Sequence, residues 1–92
     1  MKVVRTYEAS YTSAHRILVS VPVNSRILRF TEIDGYTMLI ALCDDYERGF
    51  VDLHFCALRS SEHFADGFNG ELGDYINSVD NYHFFKTIKT HG

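Results

Sequence analysis

The chain has 92 residues, 46% of them hydrophobic and 23% charged, which makes one domain of ordinary globular composition spanning residues 1–92. Its formal net charge of −3, with no cluster of Lys or Arg, excludes the positive footprint that double-stranded nucleic acid requires. No apolar run approaches the roughly 20 residues needed to span a membrane, and residues 1–11 carry charges instead of a secretory apolar segment, so the expected compartment is the cytoplasm.

Seven Phe, six Tyr and the Val and Ile content suit strands. Val3 to Tyr11 reads as one strand, with Val3, Arg5, Tyr7, Ala9 and Tyr11 on one face. Residues 12–15 form a loop. Arg16 to Val21 is a second strand with Ile17, Val19 and Val21 on one face, and Pro22 ends it because proline has no N–H for a ladder. Val23-Asn24-Ser25 then turns the chain.

The strongest local signal follows. Two β-rich runs, Arg26 to Ile33 and Tyr36 to Cys43, flank Asp34-Gly35. A type I′ turn needs positive φ at both central residues, which Asp-Gly tolerates, so a two-residue hairpin is expected. That loop length sets the register. Ile33 faces Tyr36, Thr31 faces Met38, Arg29 faces Ile40 and Ile27 faces Leu42, while Phe30 meets Leu39 and Leu28 meets Ala41. The run from Tyr36 to Cys43 is apolar at nearly every position. It therefore reads as a central strand covered on both faces, inside a sandwich, a barrel or an interface.

A polar loop, residues 44–49, leads to a fifth strand from Phe50 to Leu58. Val51, Leu53, Phe55 and Ala57 point inward there, and Asp52, His54 and Cys56 point the other way. If this strand forms a hairpin with Tyr36–Cys43, Cys56 lies near Thr37 and far from Cys43, so no disulfide is expected. Residues 59–74 break the pattern, and Ser60 or Ser61 offers a cap for one short helical turn. Leu72, Tyr75, Ile76 and Val79 have helical spacing. Tyr75–Val79, Asp80-Asn81 and Tyr82–Ile88 also read as a hairpin, and the hairpin is preferred because the last run needs a partner. The expected fold is mainly β: an antiparallel arrangement of six to seven strands, a sandwich or open barrel, with at most one short helix.

No catalytic or metal motif stands out, and no cofactor is expected. His54 and Cys56 share a strand face with Asp52, but Cys43, His63 and His83 lack metal-type spacing. Neighbours at i and i+2 on a strand stand about 7 Å apart, too far for a Cys–His hydrogen bond. Asp44, Asp45 and Glu47 read as a solvated turn, not a calcium loop. The binding candidates are Arg59, His63, Phe64 and Phe68 in the irregular segment. Arg with aromatics can anchor a protein partner or stack a nucleobase, although both Phe side chains can instead fold back onto the core. Lys86, Lys89 and His91 with Tyr82 and Phe84 offer a second stacking face.

Three stretches, Pro22-Val23-Asn24-Ser25-Arg26-Ile27-Leu28, Leu39-Ile40-Ala41-Leu42-Cys43-Asp44 and Leu72-Gly73-Asp74-Tyr75-Ile76-Asn77-Ser78-Val79, are similar in order and spacing to a family of small phage and prophage proteins. The similarity spans roughly residues 3–88. The chain departs from that family in having no tryptophan and in placing Cys56-Ala57-Leu58 where a Gly-Thr-Gly stands. The resemblance implies a phage-encoded accessory protein working in a bacterial cytoplasm, with no active site to transfer. The expectation is a non-enzymatic protein that contacts a host protein, as inhibitor or adaptor. The alternatives are a small-ligand or nucleotide binder with a pocket at a subunit interface and a single-stranded nucleic-acid binder. A homodimer is expected, because so many strands leave edges that need cover.

Overall fold

In the computed structural model, which describes residues 1–46, 48–64 and 66–88, Asp34 and Gly35 both have positive φ, 52° and 84°. They join β4 (Arg26–Ile33) to β5 (Tyr36–Asp44). The register near the turn follows from the loop length: Ile33 pairs with Tyr36, Thr31 with Met38, Phe30 with Leu39 and Arg29 with Ile40. Beyond Arg29 it departs from expectation. A bulge at Leu28 places Ile27 opposite Ala41 and Arg26 opposite Leu42. The extra residue turns the Leu28 side chain to the exposed side while Ile27 packs against the core.

The chain forms two antiparallel sheets, the sandwich among the expected architectures. The stretch from Val3 to Tyr11 is not one strand. It divides at the buried Ala9 into β1 (Lys2–Glu8) and a two-residue β2 (Ser10–Tyr11), which lie in different sheets. This division brings the strand count to eight. The remaining strands are β3 (Arg16–Pro22), β6 (Phe50–Arg59), β7 (Leu72–Val79) and β8 (Tyr82–Thr87). A single 3-10 turn, Asp66–Glu71, precedes β7, so the short helical turn lies beyond Ser60 and Ser61. Sheet one has the order β1-β5-β4 and sheet two the order β2-β3-β6-β8-β7. Among the described residues no helix is long and apolar enough to cross a membrane.

The expected β5–β6 hairpin does not form. Both positions beside β5 are taken, by β4 and by β1, so the chain crosses to the other sheet after Asp44. There β6 pairs with β3 and β8. Cys56 consequently sits opposite Arg16 and Phe85 and not opposite Thr37. Both cysteines are buried free thiols. The last hairpin forms as preferred, with Val79 opposite Tyr82 around Asp80-Asn81, but β7 begins at Leu72. Gly73 suits that start, since a Cβ there would lie 2.8 Å from the carbonyl oxygen of Lys86.

The core between the sheets holds Phe30 and Leu39 from sheet one against Ile17, Val19, Val21, Phe55, Ala57 and Phe84 from sheet two. The Phe30 ring stacks on Phe84 at 4.3 Å and meets Phe55 edge-on at 5.0 Å. At the open side of the sandwich, Asn77 of β7 replaces a missing ladder partner of β4. The backbone N–H of Phe30 donates to Asn77 Oδ1 at 2.9 Å, and Asn77 Nδ2 donates to the Phe30 carbonyl at 2.9 Å.

Phe30→Ala is expected to lower unfolding stability by about 3–5 kcal/mol, read from the urea midpoint, because it leaves a cavity against two rings. Asn77→Ala is expected to cost about 1–3 kcal/mol by leaving two polar groups of β4 without their partner. An Asn77→Ala midpoint equal to wild type would show that water replaces the clasp.

Candidate functional site

The irregular segment after β6 does two things. Its second half lies against the outer face of sheet two. Arg16 Nη2 donates to both carboxylate oxygens of Glu71, at 2.8 and 2.6 Å, and the Arg16 guanidinium sits 5.1 Å over the Phe68 ring. Phe68 also meets His15 and Phe64 edge-on, each at 5.6 Å. Phe68 is thus folded back onto the sheet, while Phe64 and His63 are exposed. Cys56 and Leu58, on the outward-alternating positions of β6, are buried on this side.

The first half of the segment turns sharply at Ser61, whose φ is 66°. Ser60 reaches His83: its Oγ lies 2.7 Å from Nε2, and Tyr75 Oη lies 3.1 Å from Nδ1 of the same ring. This Ser–His–Tyr chain joins the residue after β6 to the start of β8 and the middle of β7. Its composition left no trace in local sequence, because the three residues come from separate strands.

Arg59 leaves the other sequence candidates and faces a cleft between the sheets. The cleft has a volume of about 350 Å³. Thr31, Glu32 and Gly35 bound it from sheet one, Arg59, Asp80 and Tyr82 from sheet two, with Tyr11 beside them and Phe84 beneath. The two hairpin turns, Asp34-Gly35 and Asp80-Asn81, therefore meet at one end of the sandwich. The Arg59 guanidinium lies 5.7 Å over the Tyr82 ring. A hydrogen bond to Asp80, reinforced by that neighbour's negative charge, holds the Glu32 carboxyl above the usual carboxylate range. Burial pushes the Tyr11 phenol up, opposed by its hydrogen bond to Thr37.

A third feature is the outer face of sheet one. Leu39, Ala41 and Cys43 are buried on the inner face of β5. On the other face Met38, Ile40 and Leu42 are only half-buried, and Val4, Ile33 and Tyr36 beside them are 57%, 44% and 60% exposed. The expectation that β5 is covered on both faces is met on one face only.

The remaining sequence candidates separate. Asp52 and His54 are exposed whereas Cys56 is buried, with Sγ 3.3 Å from Thr87 Oγ1. Cys43 Sγ lies 3.3 Å from Tyr7 Oη on the inner side of sheet one. Asp44 accepts a hydrogen bond from the Tyr46 backbone N–H, which holds its carboxyl below the usual range, and Asp45 pairs with Arg5 at 3.0 Å. These acids shape their own loop. Glu47, Lys89 and His91 lie outside the described residues. Among the described residues no group of three or more His, Cys, Asp or Glu could hold a metal ion. Tyr82 was legible as an aromatic near a basic residue, but its partner is Arg59 and not Lys86. Glu32 and Tyr11 carried no local signal.

No protein-family model matches the chain, and neither a curated protein nor a solved structure matches it.

The Glu32–Asp80 pair has a pH signature. A carboxyl whose folded pKa is raised binds its proton more tightly when folded, so its contribution to stability is lost as pH rises through the usual glutamate range and up to the raised value. Glu32→Gln removes one of the two facing charges. Its melting temperature is expected to exceed wild type at pH 7, with the gap closing as pH falls through that window. A gap that does not change with pH would show that the two carboxyls do not interact.

Proposed function

We propose that the protein is a binding module that holds a protein partner against the outer face of sheet one, as expected for an accessory protein of the phage class that its sequence resembles. The observation that carries this reading is the alternation of β5. A strand with one face toward solvent ordinarily alternates apolar and polar residues. Here Met38, Ile40 and Leu42 are as apolar as the buried Leu39, Ala41 and Cys43, and they adjoin the exposed Val4, Ile33 and Tyr36. Fully burying a side chain of this size is worth about 1.5–3 kcal/mol relative to leaving it in water. An apolar row of this kind, bordered by Thr6 and Glu8 of β1 and by Arg26, Arg29 and Thr31 of β4, supports an interaction surface. The outer face of sheet two differs, because Phe68 and Glu71 lie against it at Arg16. A host protein in the bacterial cytoplasm is the partner this reading assigns, and no catalytic step is required of the chain.

Tagged wild-type protein is expected to recover one bacterial protein in about equimolar amount from host lysate. Ile40→Glu, at the centre of the face, and Val4→Glu, at its exposed margin, are expected to weaken that complex at least about tenfold while keeping the wild-type circular dichroism. Val4→Glu guards against loss of folding at the central position. A wild-type dimer by light scattering that both variants dissociate would assign the face to a second copy instead. Undiminished recovery by both folded variants would remove this face from the interaction.

A further inference from the structure

We propose that the cleft between the two hairpin turns is a binding site for a purine nucleoside monophosphate, with guanine preferred as the base. This inference stands on the cleft alone and is independent of the face of sheet one.

The volume of about 350 Å³ lies within the range of small-molecule sites, which run from about 300 to 1,000 Å³. Its surroundings divide by chemistry. Arg59 supplies the cation. Arg5 and Arg16 are both engaged with carboxylates, at 3.0 and 2.6 Å. The Arg59 guanidinium makes no ion pair among the described residues, and it is held over the Tyr82 ring. A stacked guanidinium without a counter-ion presents its donor fork to an incoming phosphate or carboxylate. Tyr11, 46% exposed at the border of the cleft, supplies planar apolar surface, whereas Tyr82 packs against the core and carries Arg59 over its ring. Base–aromatic stacking of this kind is worth about 1–3 kcal/mol per base.

Glu32 and Asp80 set the base. They approach the cleft from different sheets and are hydrogen-bonded to each other, and a base that displaces that bond meets carboxyl oxygens that accept from its N–H groups. Guanine presents two adjacent donors, N1–H and the exocyclic amine, on the edge that meets such oxygens. Adenine presents one donor beside an acceptor on its corresponding edge and matches them less well. The number of phosphates follows from charge. One arginine offsets only about half the charge of a phosphate monoester, which carries about −1.5 to −2 at pH 7, and a net charge of −3 gives a polyphosphate no long-range attraction.

The test uses the full chain and three probes, GMP, AMP and guanosine, titrated by two-dimensional amide NMR. GMP is expected to give saturable shifts at Gly35, Asn81 and Tyr82 while Val4 and Ile40 stay fixed. Guanosine and AMP are each expected to bind at least about fivefold more weakly. Arg59→Gln is expected to weaken GMP about tenfold and to abolish its advantage over guanosine. Glu32→Gln combined with Asp80→Asn is expected to abolish the advantage of GMP over AMP. Absence of saturable shifts with GMP overturns the proposal, as do shifts mapping outside the cleft or unchanged affinity in a folded Arg59→Gln variant. Equal affinity of the wild type for GMP and AMP overturns the base assignment. Because Val4 and Ile40 report in the same spectra, failure here leaves the protein-binding reading of sheet one to its own test.

Discussion

Phe30 is where the two sheets become one structure. Its ring is held between Phe84 and Phe55, stacked on the first and edge-on to the second. Its backbone is held as well, since both polar groups of the residue bond to the side-chain amide of Asn77. One residue of β4 is therefore gripped from the opposite sheet through its side chain and its main chain together. Stacked and edge-on aromatic pairs add about 0.5–1.5 kcal/mol beyond the area they bury, and a satisfied backbone pair avoids the larger penalty of burying it without partners. The bulge at Leu28 belongs to the same arrangement. It sits two residues before Phe30 and lets Ile27 pack on the core although the simple hairpin register would turn it outward.

The clasp leaves the two outer faces of the sandwich unequal. Sheet two has a long following segment that lies back on it through Phe68, Arg16 and Glu71, and Cys56 and Leu58 are buried on that side. Sheet one has three strands, and its middle strand carries apolar residues on both faces. The inner row is buried against the core and the outer row is half open. A sequence that keeps Met38, Ile40 and Leu42 apolar there retains an aggregation risk. The irregular segment that attracts attention in the sequence is, in its second half, a cover, and the regular β5 carries the half-open apolar row.

Closing the sandwich at Phe30 also brings the turns of two hairpins to one end, with Phe84 beneath the gap between them. Charges that are far apart in sequence then face each other: Glu32 and Asp80 interact across that gap, and Arg59 lies over Tyr82 beside it. The acidic pair is held close by the scaffold although like charges raise the free energy of the folded state at neutral pH. Strain of this electrostatic kind is tolerated when the rest of the core supplies the stability, and it concentrates where ligands bind.

The sequence by itself determined the local features. Asp34-Gly35 dictated a type I′ hairpin and its register as far as Arg29, because positive φ at two adjacent residues leaves few alternatives. Alternation marked Ile17, Val19 and Val21, and likewise Phe55 and Ala57, as inward, because a period of two is a property of the extended backbone. Pro22 ended β3 for want of an N–H. Only the tertiary structure decided which strands are neighbours. The run from Val3 to Tyr11 divides at Ala9 between two sheets, β5 pairs with β1 and not with the following β6, and Cys56 becomes buried between Arg16 and Phe85 on the neighbouring strands. Alternation states which face a side chain takes but not which strand lies beside it, and that choice is made by the burial of the whole chain. Arg59 was visible in the sequence as a binding candidate with its aromatic neighbours. Its companions Tyr11, Glu32, Asp80 and Tyr82 come from four separate strands and turns, and the packing around Phe30 brings them together.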